Sequence, residues 1–161
     1  MTNFENLIEL ANNGDAKAQY KLGIYYLDQE GNEEKAFKLI KESAEKGVAP
    51  AQVQLGCLYQ YGEGVEKNNE EALKWFRLAA KQQNPSAYVF LGLHYKEGEH
   101  YEEALKYFLT AAKLGDPIAM ILTAKCYTEG LGVEKNKEEA DKWYGLAEKS
   151  GLKLIRPEEN N

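Results

Sequence analysis

Residues 51–83 read AQVQLGCLYQYGEGVEKNNEEALKWFRLAAKQQ, and this stretch decides the fold. Its first half places Ala51, Leu55, Gly56 and Tyr59 at offsets of 0, 4, 5 and 8. At 3.6 residues per turn these fall on nearly one face of a helix. Its second half opens on Asn68, runs through Ala72 and the pair Trp75-Phe76, and stays helix-like to Gln83. Between the halves, Gly62-Glu63-Gly64-Val65 breaks the pattern as a turn. The stretch therefore predicts two helices, A and B, joined by a glycine-bearing loop.

The same pair recurs on either side. Leu22-Gly23, Leu55-Gly56 and Leu91-Gly92 are each followed three residues on by Tyr26, Tyr59 and Tyr95, and a fourth copy reads Thr123-Ala124 with Tyr127. Ala36, Ala72, Ala104 and Ala140 mark helix B in the same four copies. Two landmark series that move together at steps of 32 to 36 residues define a repeat array. The small residues Gly23, Gly56, Gly92 and Ala124 on helix A predict close approach of its hairpin partner. That packing must offset the roughly 1 kcal/mol that glycine costs inside a helix.

Helix B carries start and stop signals. Asn68-x-x-Glu71 and Asn136-x-x-Glu139 have the form of capping boxes, with Asn32 and His100 at the same place in the other two copies. Gly47, Gly115 and Gly151 suit left-handed ends. Ahead of the first pair, Phe4–Asn13 reads as a lone helix B stopping at Gly14. The expectation is an all-α chain, a right-handed α-solenoid of helix–turn–helix repeats with one leading helix plus four A–B pairs. It forms a single repeat domain: 1–14 leading helix, then 15–47, 48–83, 84–115 and 116–151, then a tail 152–161.

Bulk properties narrow the function. Twenty Lys and Arg stand against twenty-six Asp and Glu, a net charge of −6 over 161 residues. A phosphate-backbone binder needs the opposite excess, so no nucleic-acid partner is expected. The amino-terminal stretch has no basic, apolar signal sequence, and no apolar run approaches the ~18 residues of a membrane span. The expectation is a cytoplasmic chain with no membrane partner. Cys57 and Cys126 read as small buried hydrophobes, placed by the repeat arithmetic too far apart for a disulfide.

The residues that could carry catalysis do not converge. His94 and His100 are six apart, not at the i, i+4 spacing that puts two ligands on one helical face. Gly62-x-Gly64 lacks a third glycine and a preceding strand. Ser43, Ser86 and Ser150 have no nucleophile-elbow setting. Glu33-Glu34, Glu70-Glu71, Glu102-Glu103 and Glu138-Glu139 recur at every helix B start, where they complement the helix dipole. No catalytic residue, cofactor or metal is expected.

The motifs Ala-x-x-x-Leu-Gly-x-x-Tyr, Gly-x-Gly-Val and Ala-x-x-Trp-aromatic-x-x-Ala-Ala together resemble the Sel-one-like repeat family, a relative of the tetratricopeptide repeats. The resemblance covers roughly residues 14–151. It implies an adaptor or regulator that binds another protein. An alternative is an immunity-type inhibitor neutralising a toxin or effector, and a hydrolase built on the repeat surface is a remote third. By resemblance to tetratricopeptide arrays, the A helices line a concave groove. In the first copy it takes Lys17, Tyr20, Ile24 and Asp28; in the second Val53, Gln54, Cys57, Gln60 and Tyr61; in the third Val89, Phe90, Leu93, Lys96 and Glu97; in the fourth Ile118, Ile121 and Lys125. Tyr20, Ile24, Val53, Phe90, Leu93 and Ile121 can serve equally as core between repeats, because groove and core positions adjoin on one helix. The apolar tail Leu152-Lys-Leu154-Ile155-Arg-Pro157 is expected to cap the last repeat. A monomer is favoured, and an end-to-end dimer through the tail is the alternative.

Overall fold

The computed structural model describes residues 2–152. Among them are nine α-helices and no strand: α1 Asn3–Asn12, α2 Ala16–Leu27, α3 Glu33–Glu45, α4 Ala49–Tyr61, α5 Asn69–Lys81, α6 Pro85–Glu97, α7 Tyr101–Lys113, α8 Pro117–Glu129 and α9 Lys137–Lys149. The leading helix and four A–B pairs are therefore present in the expected order. The chain groups into two compact units, one through Asn84 and one from Pro85. The tail from residue 153 on, with the cap or dimer contact expected of it, lies outside the described residues.

In the first unit, α2 pairs with α3 and α4 with α5, while α1 packs on α2 and α3 on α4. The small residues of helix A explain the pairing. A Cβ on Gly23 would lie 2.6 Å from Ile40 Cγ1, and one on Gly56 would lie 2.5 Å from Phe76 Cε1. Ile40 and Phe76 are buried knobs seated where helix A has no side chain. The core here joins Ala36, Ile40 and Ala44 of α3 to Ala51, Leu55 and Leu58 of α4.

The second unit repeats the arrangement with α6 on α7, α7 on α8 and α8 on α9. A Cβ on Gly92 would lie 2.5 Å from Phe108 Cε1. In the last pair Ala124 replaces glycine, and it shares a core with Ala140 and Tyr144. The fourth copy departs from the motif without losing the hairpin.

Helix ends differ in detail from the sequence expectation. Helix B begins three residues before each landmark alanine, at the acidic pair itself in α3 and one residue ahead of it in α5, α7 and α9. Asn68 and Asn136 do cap α5 and α9, each accepting from the backbone N–H of Glu71 or Glu139 at 3.0 Å. The glutamates, however, turn to Lys74 and Lys142 at 2.5 and 2.7 Å instead of closing a box. Asn32 and His100 precede α3 and α7 but make no side-chain cap. A full box closes between Thr2 and Glu5 on α1. Asp15 and Asp116 cap α2 and α8 by accepting from Ala18 and Ala119. Gly47, Gly115 and Gly151 take left-handed φ values of 88°, 92° and 93°, as expected of them.

Candidate functional site

The candidate surface is the exposed side of the A helices, taken in each unit by itself. In the first unit, α2 presents Lys17 in solvent and Tyr20 and Ile24 half-buried, with Asp28 exposed just after its end. Tyr20 and Ile24 also rest on the α3–α4 core, so each serves packing as well as surface. From α4 come Gln54, Cys57 and Gln60, half-buried, and Tyr61, which is 63% exposed. Val53 does not belong with them. It is buried at 9% and belongs to the core.

The part of this surface that α4 supplies is neutral. No charged residue occurs between Ala49 and Tyr61. Tyr20 and Cys57 lie near enough to influence each other. Burial, followed by the adjacent Cys57, raises the Tyr20 phenol above its usual value. Burial, followed by Glu63, pushes the Cys57 thiol up to about 11. A thiol held protonated in this way is a poor nucleophile and a poor metal ligand. Gln60 Oε1 is buried with no hydrogen-bond partner among the described residues.

In the second unit, α6 contributes Phe90, Leu93 and Lys96, all half-buried, and exposed Glu97. Val89, like Val53, is drawn inside at 7% and joins the core with Ala111, Ala112, Ala119 and Met120. Leu93 and Ile121 pack at the edge of that same core. Lys125 of α8 is exposed, and Ile118, near the start of α8, is 59% exposed. Cys126 is buried and its thiol is raised to about 11, chiefly by burial, with Lys96 opposing and Glu129 adding to the rise. The two valines share one physical reason: they sit one position round the helix from the surface stripe, on the side that meets the neighbouring helices.

His94 is an exposed helix residue, and His100 Nδ1–H donates to the Gly98 carbonyl at 2.6 Å, bracing its own turn. Among the described residues no group of three His, Cys, Asp or Glu side chains is placed to hold a metal ion. No helix among them is long and apolar enough to cross a membrane.

The hairpin repeat and its glycine-seated knobs agree with what comparison finds. The Sel1 repeat model matches four times, over residues 16–48, 49–84, 85–116 and 117–152. The chain belongs to the Sel1 repeat family. Each matched repeat starts one residue later than the boundary read from the sequence. Among solved structures, a protective antigen of uropathogenic Escherichia coli with this repeat fold superposes at a TM-score of 0.84, with 33% identity over 94% of this chain and 34% of that one. A Sel1 repeat protein from Oxalobacter formigenes gives 0.83, with 34% identity over 90% and 61%. Among curated relatives, a chitin synthase regulator of Saccharomyces cerevisiae is 34% identical over 46% of this chain and 11% of its own length. A component of the ERAD-associated E3 ubiquitin-protein ligase of Arabidopsis thaliana is 32% identical over 42% and 10%. The chain thus spans about a tenth of the length of these relatives. Sel1 repeat proteins are generally protein–protein interaction modules and typically non-catalytic scaffolds.

Proposed function

We propose that this Sel1 array is a non-catalytic adaptor or regulator that holds a partner protein segment against the outer side of its A helices. One observation carries the reading. The two most exposed large hydrophobic side chains among the described residues, Tyr61 and Ile118, both stand on A helices at positions of the expected binding face. Exposed aromatic and aliphatic anchors beside half-buried neighbours are what a partner segment uses as hot spots. Lys17 and Asp28 in the first unit, and Lys96, Glu97 and Lys125 in the second, supply the polar side chains that would set register within each unit.

The test is capture of a partner from host lysate followed by affinity measurement on variants. Tyr61→Ala and Ile118→Ala suit it better than changes at Tyr20 or Phe90, because the latter are half-buried and Tyr20 also supports the core. Each is expected to weaken binding roughly tenfold, the usual cost of losing an anchor. Exposed Lys106 and Thr110 on α7 serve as controls. Equal affinity across all variants would remove the A-helix face as the site.

A tight inhibitor of a basic effector is a narrower form of the same reading, favoured by the net charge of −6. Its mark is an association rate that falls steeply with added salt.

A further inference from the structure

Two glutamines lie buried among the helices of the first unit, Gln19 of α2 and Gln52 of α4, each one residue after the landmark alanine of its helix. A buried amide needs partners for both its oxygen and its N–H groups. Gln19 Nε2 donates to Glu42 Oε2 of α3 at 2.6 Å, and Gln19 Oε1 accepts from Lys46 Nζ at 2.9 Å. An ionised carboxylate only accepts and an ammonium only donates, so the amide has a single orientation. Lys46 Nζ donates as well to the Gly14 carbonyl, at the end of α1, at 2.7 Å. In the next repeat Gln82 takes the place of Lys46. Its Nε2 donates to Gln52 Oε1 at 2.9 Å and to the Gly47 carbonyl, at the end of α3, at 3.1 Å. Gln52 Nε2 donates to the Ala44 carbonyl at 3.2 Å.

The glycine carbonyls explain the pattern. Gly14 and Gly47 follow their helices with φ of 85° and 88°. A carbonyl at such a turn lies beyond the ladder of its own helix and needs a donor from elsewhere. The donor comes from the helix two further along the chain, α3 for Gly14 and α5 for Gly47, and in each case from its C-cap residue. Packing in this unit runs chiefly between helices adjacent in the chain. These bonds therefore tie together helices that packing leaves to their neighbours. In the last repeat of the second unit, Gly115, Met120 and Ser150 hold the corresponding places. A thioether has no N–H to donate, and Ser150 Oγ donates to the Leu146 carbonyl of its own helix at 3.1 Å. The hairpin α8–α9 forms all the same, so the contact is an addition to the repeat fold and not a requirement of it.

We infer that Lys46 and Gln82 are latches. Each fastens its helix B to the end of the helix two before it, with the buried glutamine of the intervening A helix held between them. α2 and α4 leave the array only when the latch opens. On the reading of the A helices as the binding face, α2 and α4 then offer a partner a surface that is set in advance.

Hydrogen exchange on Lys46→Met and Gln82→Met tests this, because methionine keeps the reach of the side chain and removes the donors. Lys38→Met, at an exposed position of α3, is the control. The amides of Asn13, Gly14 and Asp15 close the end of α1. Lys46→Met is expected to speed their exchange about fivefold, the share of one hydrogen bond, and to leave α5 unchanged. Gln82→Met is expected to do the same to the amides of Lys46, Gly47 and Val48, which close α3, and to leave α1 unchanged. In denaturant melts, Gln19→Met combined with Lys46→Met is expected to change the unfolding constant about fivefold less than the product of the two single changes. The inference is overturned if Lys46→Met matches Lys38→Met at the end of α1. It is also overturned if each change speeds exchange equally from α1 to α5, or if Gln19→Met and Lys46→Met act independently.

Discussion

Thr123 stands where the other three copies have leucine, wholly buried, with a hydroxyl that finds no partner among the described residues. A buried hydroxyl without a hydrogen bond costs on the order of 1–3 kcal/mol. Thr123→Val keeps the shape and removes that cost, so it is expected to stabilise the protein by about 1 kcal/mol in denaturant melts. A neutral or destabilising result would mean that an internal water satisfies the hydroxyl. Cys57 makes a second prediction at this scale. Its thiol lies near 11 in place of the usual 9, and only the thiolate reacts. At pH 8 the thiolate fraction drops from about one in ten to about one in a thousand. In a Cys126→Ala background, labelling of Cys57 by a disulfide reagent at pH 8 is expected to be about 100-fold slower than in denaturant. It should then accelerate about tenfold per pH unit up to about 11. The same shift has a sign for stability. The folded state holds the proton more tightly, so what it gains is complete below pH 9 and fades as pH rises toward 11. Labelling as fast in the native protein as in the unfolded one would show that Cys57 is not held protonated.

At the scale of the element, the Gly-x-Gly-Val loops show what a second-copy insertion is for. Gly64 has φ 68° and runs against the Glu33 carbonyl at the head of α3, and Gly132 has φ 70° and runs against the Tyr101 carbonyl at the head of α7. Each loop thus lies on the start of the preceding helix B, where a side chain is excluded twice, by the left-handed backbone and by the close carbonyl. Gly64→Ala is expected to cost more than 1 kcal/mol in urea melts, whereas Gly31→Ala, with the same sign of φ and nothing within 4 Å, should cost only the backbone part. Equal costs would mean that the contact with α3 contributes nothing. The helices, their order and their glycine-seated pairing were all legible in the sequence, because each depends on local periodicity repeated four times. The caps at Asn32 and His100 were not. Occupying the cap position is a matter of sequence, but bonding from it depends on backbone angles that a short loop alters. The candidate face was legible only in part. Lys17, Asp28, Tyr61, Glu97 and Lys125 reach the surface, while Val53 and Val89 turn inward, because a neighbouring helix covers one more position than helical spacing alone reveals. The unsatisfied hydroxyl of Thr123 had a visible sign, a polar residue at a leucine position, but its lack of a partner needs coordinates.

Across the molecule, packing inside each unit runs between helices that follow one another in the chain: α1 on α2, α2 on α3, α3 on α4 and α4 on α5 in the first, α6 on α7, α7 on α8 and α8 on α9 in the second. Neighbouring pairings share core residues, as where Tyr20 and Ile24 of α2 and Trp75 of α5 pack on the α3–α4 cluster, but each helix packs chiefly on the helices next to it in the chain, so stability is expected to behave as a sum of neighbour terms. The first unit allows a direct test. Gly56→Ala pushes a methyl to 2.5 Å from the buried Phe76 ring, inside the α4–α5 hairpin. Overpacking of this kind costs about 1–3 kcal/mol, against which alanine regains up to about 1 kcal/mol of helix propensity. The net loss should appear first in hydrogen exchange of α4 and α5. It should be smaller in α3, and near zero in α1 and α2, whose contacts with each other and with α3 do not involve Phe76. An equal loss of protection across α1 to α5 would mean that the unit opens only as a whole. In that case a partner bound at Tyr61 would stabilise every helix of the unit alike, and not α4 and α5 alone.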